Sequence, residues 1–184
     1  MALATCAIAV EKLCTCNPFT HGLYTSPRQG WRRARRKTNV DPRTALEEYA
    51  VSMLGLPYKW GGSNHLTGYD CSGLVIELLK SQGVFKVHDA TAQQLYEMYP
   101  TPSTPTLGAL VFYGKSRTSI VHVAMCLNST LMIEAGGGDS TVTSKAVAEE
   151  AGAWVRIRPI SLGRTPVVIT IPPYGWVQPA LRVG

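Results

Sequence analysis

The sequence lacks any long apolar run. No stretch of its 184 residues approaches the ~18–20 apolar residues that a membrane-spanning helix needs, so no bilayer crossing is predicted. Charged residues are also scarce, at 16% against 45% apolar, which excludes a disordered chain and indicates one domain with a sizeable core. The start, MALATCAIAV, has no early positive charge and is followed directly by Glu11 and Lys12, so no secretory signal is expected.

A paired-cysteine framework is missing as well. The five cysteines, an odd number, stand at positions 6, 14, 16, 71 and 126. The Cys14-Thr-Cys16 pair has neither the spacing nor the partner ligands of a zinc site. The cysteines therefore support neither a disulfide scaffold nor a metal centre.

The positive charge of the chain is confined to one end. Residues 1–40 hold seven basic residues and one acidic residue, whereas residues 41–184 hold eleven of each. We therefore predict a basic, irregular arm over 1–40 and a folded domain over 41–184. Such an arm could bind nucleic acid, anionic wall polymers or lipid headgroups, or remain a solvated tail. The neutral body disfavours nucleic acid as a partner.

Helical patterns precede strand patterns along the folded domain. DPRTALEEYAVSMLG reads as a helix capped by Asp41, a second helix runs from its cap Asp70 to Gly83, and TAQQLYEMY is a short third. Five segments with a period of two follow: ALVFYG, IVHVAMCL, TLMIEAG, WVRIRPI and PVVITI. Helices first and a strand meander afterwards predict an α+β fold.

Cys71 has the local setting of a nucleophile. Cysteine attacks a carbonyl as its thiolate, yet an ordinary thiol, with a pKa of about 8.5, is mostly protonated near neutrality. Cys71 directly follows the helix cap Asp70, where the helix start favours an anion and exposed amides could hold an oxyanion. We therefore predict a depressed pKa for Cys71. The competing interpretation, commoner for a lone cysteine, is a small buried hydrophobe.

A nucleophilic cysteine also needs a histidine base that a third group orients. The four histidines stand at positions 21, 65, 88 and 122. The first falls in the basic arm and the next two in loop-like segments, and contact of His65 with a substrate is left open. His122 lies inside the alternating strand SIVHVAMCL, which makes it the predicted base.

The next strand supplies a candidate third group. A three-residue loop from Leu127 to Ser129 would pair Cys126 with Thr130 and set His122 directly opposite Glu134. The Glu134 carboxylate would then accept the Nδ1–H of the imidazole and leave Nε2 for a thiol. A slip of one residue would separate the pair, and Glu134 would then lie on the solvent face.

Three segments together resemble a known family. ALEEYAVSMLGLPYKWGG, YDCSGLV and HVAMCLNSTLMIEA resemble, in order and spacing, the NlpC-type cysteine peptidases of bacterial cell-wall metabolism, over roughly residues 44–160. The resemblance implies a papain-like α+β fold in which the Cys-bearing helix packs on an antiparallel sheet. It also implies hydrolysis of peptidoglycan stem peptides without metal or organic cofactor, usually between γ-D-glutamate and a diamino acid such as meso-diaminopimelate.

The resemblance assigns roles to residues by position. Cys71 becomes the nucleophile, His122 the base and Glu134 the third, polar group. Three further positions match residues that line the family's site and hold the substrate's free amine or the oxyanion: Tyr58, Asp70 and Ser72.

Three departures from the family's pattern accompany these matches. The third group is commonly His, Asn or Gln, so Glu134 is unusual, although a carboxylate also orients an imidazole. Ala109 replaces the acid of a Gly-Asp-Leu motif, and HVA replaces the commoner HVG. None removes the nucleophile or the base, so an active hydrolase is expected.

The resemblance also bears on where the protein acts and with what. Short members with a leader and no signal resemble enzymes encoded by bacteriophages, which implies delivery by the virion to the bacterial cell wall. The basic arm would then bind a phage tail or other assembly protein, an expectation that rests on analogy. Two other functions stay open: a thiol amidase or acyltransferase, and a catalytically degenerate assembly protein.

Overall fold

The computed structural model describes residues 40–161 and 163–177 of the chain. The predicted arm over 1–40 lies outside these residues except for Val40, and so do Cys6, Cys14, Cys16 and His21. Within the described ranges, no helix combines the length and apolarity that crossing a bilayer requires.

The helices of the described chain begin at side-chain caps. They are α1 (Pro42–Ser52), α2 (Cys71–Ser81), α3 (Ala92–Met98) and α4 (Lys145–Ala151). Asp41 accepts a hydrogen bond from the Arg43 amide at the start of α1, and Thr91 and Gln94 form a reciprocal capping box at α3. The first three helices agree with the sequence prediction. The two-turn helix α4 was not predicted, because seven residues give little periodicity to detect.

The strands form one large sheet and one short hairpin. They are β1 (Ser63–Asn64), β2 (Gly68–Tyr69), β3 (Leu110–Ser116), β4 (Ser119–Cys126), β5 (Leu131–Gly136), β6 (Trp154–Pro159) and β7 (Val168–Thr170). The five-stranded sheet has the order β6-β5-β4-β3-β7 with every neighbouring pair antiparallel, and β1 pairs with β2. The predicted α+β architecture, helices followed by an antiparallel meander, is confirmed.

The main core lies between α2 and one face of the sheet. Leu74 and Leu78 of α2 are fully buried with Phe112, Val123 and Ile133 of the strands. Burying side chains of this size contributes about 1.5–3 kcal/mol each, so this layer fixes α2 against β4. The first turn of α2, with Cys71, is thereby held beside the central strand.

The hairpin between β4 and β5 closes differently from the prediction. Cys126 pairs with Met132 and not with Thr130, so the predicted register is wrong by two residues. The Asn128 side chain causes the difference, because its Oδ1 accepts hydrogen bonds from the amides of Thr130 and Leu131 and moves the turn one residue along. A shift of two residues, unlike a shift of one, keeps every side chain on its predicted face.

Candidate active site

Asp70 organises the start of α2. Its Oδ1 accepts hydrogen bonds from the Gly73 amide at 2.7 Å and the Ser72 hydroxyl at 2.9 Å. Its Oδ2 accepts one from the Gly61 amide at 2.9 Å, which ties the preceding loop to the helix. The carboxylate thus caps α2, and Cys71 becomes the first residue of the helix.

The Cys71 sulfur lies against the central strand. The backbone amide of Val123 in β4 lowers the pKa of Cys71, as do the amides of Ser72 and Cys71 itself. Burial and the Asp70 carboxylate outweigh these amides and raise the pKa of Cys71 to about 11. The predicted depression of this pKa is therefore wrong in direction, because the helix start is only one part of the surroundings.

His122 and Glu134 are in direct contact. His122 Nε2 lies 2.8 Å from Glu134 Oε2, and the Glu134 side chain is fully buried. The contact runs diagonally across the strands, since continuing the observed register would set Ala124 opposite Glu134. The ring nitrogen differs from the predicted one: Glu134 accepts from Nε2, so Nδ1 is left free of it. His122 is the residue of β4 directly before Val123, whose backbone amide lowers the pKa of Cys71, so β4 carries both the histidine and an amide that acts on the thiol.

Three arginines surround the Glu134 carboxylate. Arg156 Nε lies 3.4 Å and an Arg158 Nη 3.5 Å from Oε1, while Arg164 donates to Oε2. Burial alone would raise the pKa of Glu134, but the hydrogen bond from His122 and the charges of His122, Arg164 and Arg156 lower it to about 2. The carboxylate is therefore ionised at neutral pH and able to stabilise an imidazolium.

The glycines after Glu134 are required by close approach. A Cβ on Gly136 would stand 2.7 Å from Glu134 Oε1, and a Cβ on Gly138 would overlap the ring of Tyr58. Bare backbone at these two positions leaves room for the buried carboxylate and for Tyr58. The run of glycines is thus part of the site's construction.

The predicted substrate-binding residues do not all lie in one place. Asp70 and Ser72 line an open cleft of about 270 Å³. Tyr58 is buried, and its pKa is raised by burial and by the charges of Cys71 and Asp70; it does not line this cleft. Further residues line the cleft that the sequence did not single out, among them Trp60, Asp89, Thr91 and Gln94.

The arginine cluster was also missed from the sequence. Arg156 and Arg158 alternate along β6, and Arg156 pairs directly with Glu134. The sequence Arg156-Ile-Arg158, in a strand that follows one carrying a single acidic residue, could therefore have predicted an ion pair across the two strands. Arg164 lies in the segment after β6, where the sequence has no helical or strand periodicity from which the position of its side chain could be predicted.

A family profile described as the NlpC/P60 family matches residues 55–155. The chain belongs to the NlpC/P60 family. NlpC/P60 is a cysteine peptidase family, in which some members are non-catalytic, and the matched range contains Cys71, His122 and Glu134. The resemblance to NlpC-type peptidases is thereby confirmed for the folded domain.

Relatives and solved structures of the NlpC/P60 family agree with this assignment. The chain is 31% identical over 130 residues to the bifunctional muramidase/DL-endopeptidase CwlT of Bacillus subtilis, covering 70% of this chain and 38% of that protein. It spans between 24% and 53% of the first curated relatives it matches. A lipoprotein-like NLP/P60 protein of Staphylococcus aureus shares the fold at a TM-score of 0.55 and 20% identity, covering 73% of this chain and 43% of that one.

A second structural neighbour is a different kind of protein. RipD of Mycobacterium tuberculosis is a non-catalytic NlpC/p60 domain protein adapted to peptidoglycan binding. It superposes with a TM-score of 0.52 at 21% identity, over 71% of this chain and 97% of that one. The fold of the NlpC/P60 family therefore accommodates both catalysis and binding, and the residues of the site must distinguish them.

Proposed function

We propose that this NlpC/P60 chain is a cysteine peptidase that hydrolyses peptidoglycan stem peptides at the bond between γ-D-glutamate and the diamino acid. The observation that carries the proposal is a cysteine at the start of α2, Cys71, in one domain with a His122 whose Nε2 is held by an ionised, buried Glu134. The family and the endopeptidase relative CwlT support the reaction class. The bond is the usual target of NlpC-type peptidases.

The first half of the reaction uses the free ring nitrogen. Because Cys71 is protonated at rest, its proton passes to Nδ1 of His122 as the sulfur attacks the amide carbonyl. Glu134 stabilises the imidazolium that forms. The amides that favour the thiolate, those of Val123 and of the first turn of α2, would donate to the oxyanion.

The second half returns the proton. The imidazolium of His122 gives its proton to the leaving amine, the carbon–nitrogen bond breaks, and a thioester remains on Cys71. Neutral His122 then takes a proton from water, which attacks the thioester and releases the new carboxylate and the thiol. No metal or cofactor takes part in these steps.

The substrate's acyl side would occupy the cleft beside α2. Asp70 and Ser72 line this cleft, and Asp89 adds a second carboxylate. Two carboxylates suit the free amine of a stem peptide, which agrees with the role that the resemblance gives Asp70 and Ser72. Tyr58, buried beside Gly138, would bring its hydroxyl to the substrate.

The proposed place of action is the bacterial cell wall. Delivery by a virion and attachment to a phage tail or other assembly protein through residues 1–40 extend this proposal. Both depend on an arm that lies outside the described residues, so their support is the basic composition of that arm alone.

The decisive experiment is digestion of purified sacculi, with products identified by mass spectrometry. Wild-type protein should release fragments ending in D-glutamate with a new free amine on the diamino acid. Cys71→Ala should release none, and Cys126→Ala should act like wild type, because Cys126 is fully buried in the second core cluster and, unlike Cys71, does not stand at a helix start. A product joined to an added amine or alcohol would instead identify an acyltransferase.

A second candidate function is binding of stem peptides without cleavage. The raised pKa of the partly buried Cys71 favours it, since a thiol with a pKa of about 11 is a poor nucleophile on its own. Wild-type protein that binds sacculi, leaves every stem intact and loses nothing on Cys71→Ala would establish this function.

A further inference from the structure

A second, basic pocket adjoins the catalytic residues. It has a volume of about 370 Å³ and shares His122 and Glu134 with the site. Its remaining walls are the backbone of glycines 136–138 and 163 and the side chains of Arg156, Arg158 and Arg164. Three guanidinium groups face one carboxylate there, so two positive charges among the lining residues have no counter-charge.

The arginines retain donors for a ligand. Each is described with one nitrogen near a Glu134 oxygen, although a guanidinium carries five N–H donors. Their side chains are about one-third exposed, at 34%, 31% and 36%, so the unused donors are accessible from the pocket. A guanidinium fork matches a carboxylate in bidentate geometry better than it matches any neutral group.

The position of the pocket indicates which part of a substrate would enter it. In the proposed reaction His122 protonates the leaving amine, so the leaving group must come within hydrogen-bond reach of His122. The basic pocket shares His122, whereas the cleft with Asp70 and Asp89 does not. A leaving group that reaches His122 would therefore meet the basic pocket, and the acyl side beside Asp70 would meet the acidic cleft.

We propose that the pocket formed by Arg156, Arg158 and Arg164 binds a carboxylate of the leaving group and so selects stems whose diamino acid carries one. This inference rests on the proposed peptidase function and specifies its substrate. A stem containing meso-diaminopimelate presents a side-chain carboxylate, which a stem containing L-lysine lacks. The terminal carboxylate of either stem is a second source of the same chemistry.

The test compares four synthetic stems, L-Ala–γ-D-Glu joined to meso-diaminopimelate or L-lysine, each with a free or amidated terminal carboxylate. A charge-assisted contact predicts about tenfold or greater preference in kcat/KM for the stem that carries the bound carboxylate. Preference that follows the diamino acid identifies the side-chain carboxylate as the ligand. Preference that follows amidation identifies the terminal one.

Arg158→Gln is the informative variant, because Arg158 makes the longest of the three contacts with Glu134. It should raise KM for the preferred stem and reduce the preference to about threefold or less. Arg117→Gln, an exposed arginine of the β3–β4 turn, is the matched control and should keep the wild-type preference.

The outcomes separate the two proposals. Cleavage of all four stems with equal kcat/KM would overturn the inference and keep the peptidase. An equal loss on every stem in Arg158→Gln would also overturn it, since Arg158 would then act only through Glu134 and His122. Cleavage of none by wild-type protein would overturn the peptidase function, and the inference with it.

Discussion

Replacing Glu134 by glutamine tests the electrostatics of the site directly. The change keeps the size of the side chain and its ability to accept from His122 Nε2, but it removes the negative charge among three arginines. The pKa of Glu134 is lowered from 4.5 to about 2, and its side chain is fully buried, so little solvent screens the contribution. At 1.36 kcal/mol per pKa unit, the ionised carboxylate stabilises the fold by about 3 kcal/mol at pH 7.

The pH dependence gives this prediction its sign. Because the folded pKa is below the unfolded one, the stabilisation is fully present above pH 4.5 and is lost as the pH falls through about 2. Urea unfolding should therefore show Glu134→Gln less stable than wild type by about 3 kcal/mol at pH 7 and by only about 1 kcal/mol at pH 3.

The matched control is Glu149→Gln, which removes an exposed acid that faces Lys145 on α4 at 3.9 Å. Its free energy of unfolding should change by less than about 0.5 kcal/mol at either pH. If Glu134→Gln unfolds at the same urea concentration as wild type at pH 7, or if the difference does not shrink at pH 3, the argument for a strongly held carboxylate is refuted.

Two further predictions concern the thiol and the glycine run. Iodoacetamide should label Cys71 slowly at pH 7 and faster as the pH rises beyond 9. Cys126, which is buried, should stay unlabelled in the folded protein. Rapid labelling of Cys71 near pH 6 would contradict this prediction and would indicate an ion pair between the thiolate and the imidazole of His122. Gly138→Ala should displace Tyr58 and lower kcat/KM for stem peptides at least tenfold. Gly175→Ala is the control and should keep wild-type activity, because the space around Gly175 is open. Equal activity of the two variants would show that Tyr58 has no role in the site.

The features that sequence predicts well here are those set within one helical turn. Asp41 and Asp70 cap their helices as their positions suggested, because a cap needs only a side-chain oxygen and the amides two or three residues on. Cys71 consequently stands at the start of a helix in both the prediction and the structure.

The hairpin register and the features that depend on distant segments were less predictable. The hairpin register differs from the predicted one by two residues because the Asn128 side chain accepts hydrogen bonds from the turn. The alternation of apolar and polar residues is the same in both registers, so it could not distinguish them. The direction of the Cys71 pKa depended on burial against β4, which no local pattern encodes. Arg164 reaches Glu134 from beyond β6, at a position that only the folded chain defines.

The protonated state of Cys71 has a consequence for durability. Peroxide and disulfides react with thiolates, and a thiol kept neutral by burial and by Asp70 presents very little of the reactive species at neutral pH. The sulfur would gain its negative charge only while a substrate occupies the cleft and His122 accepts the proton. An oxidising environment would therefore meet a largely inert cysteine during the long intervals between turnovers, and the nucleophile would be protected chemically by the same surroundings that hold it in place.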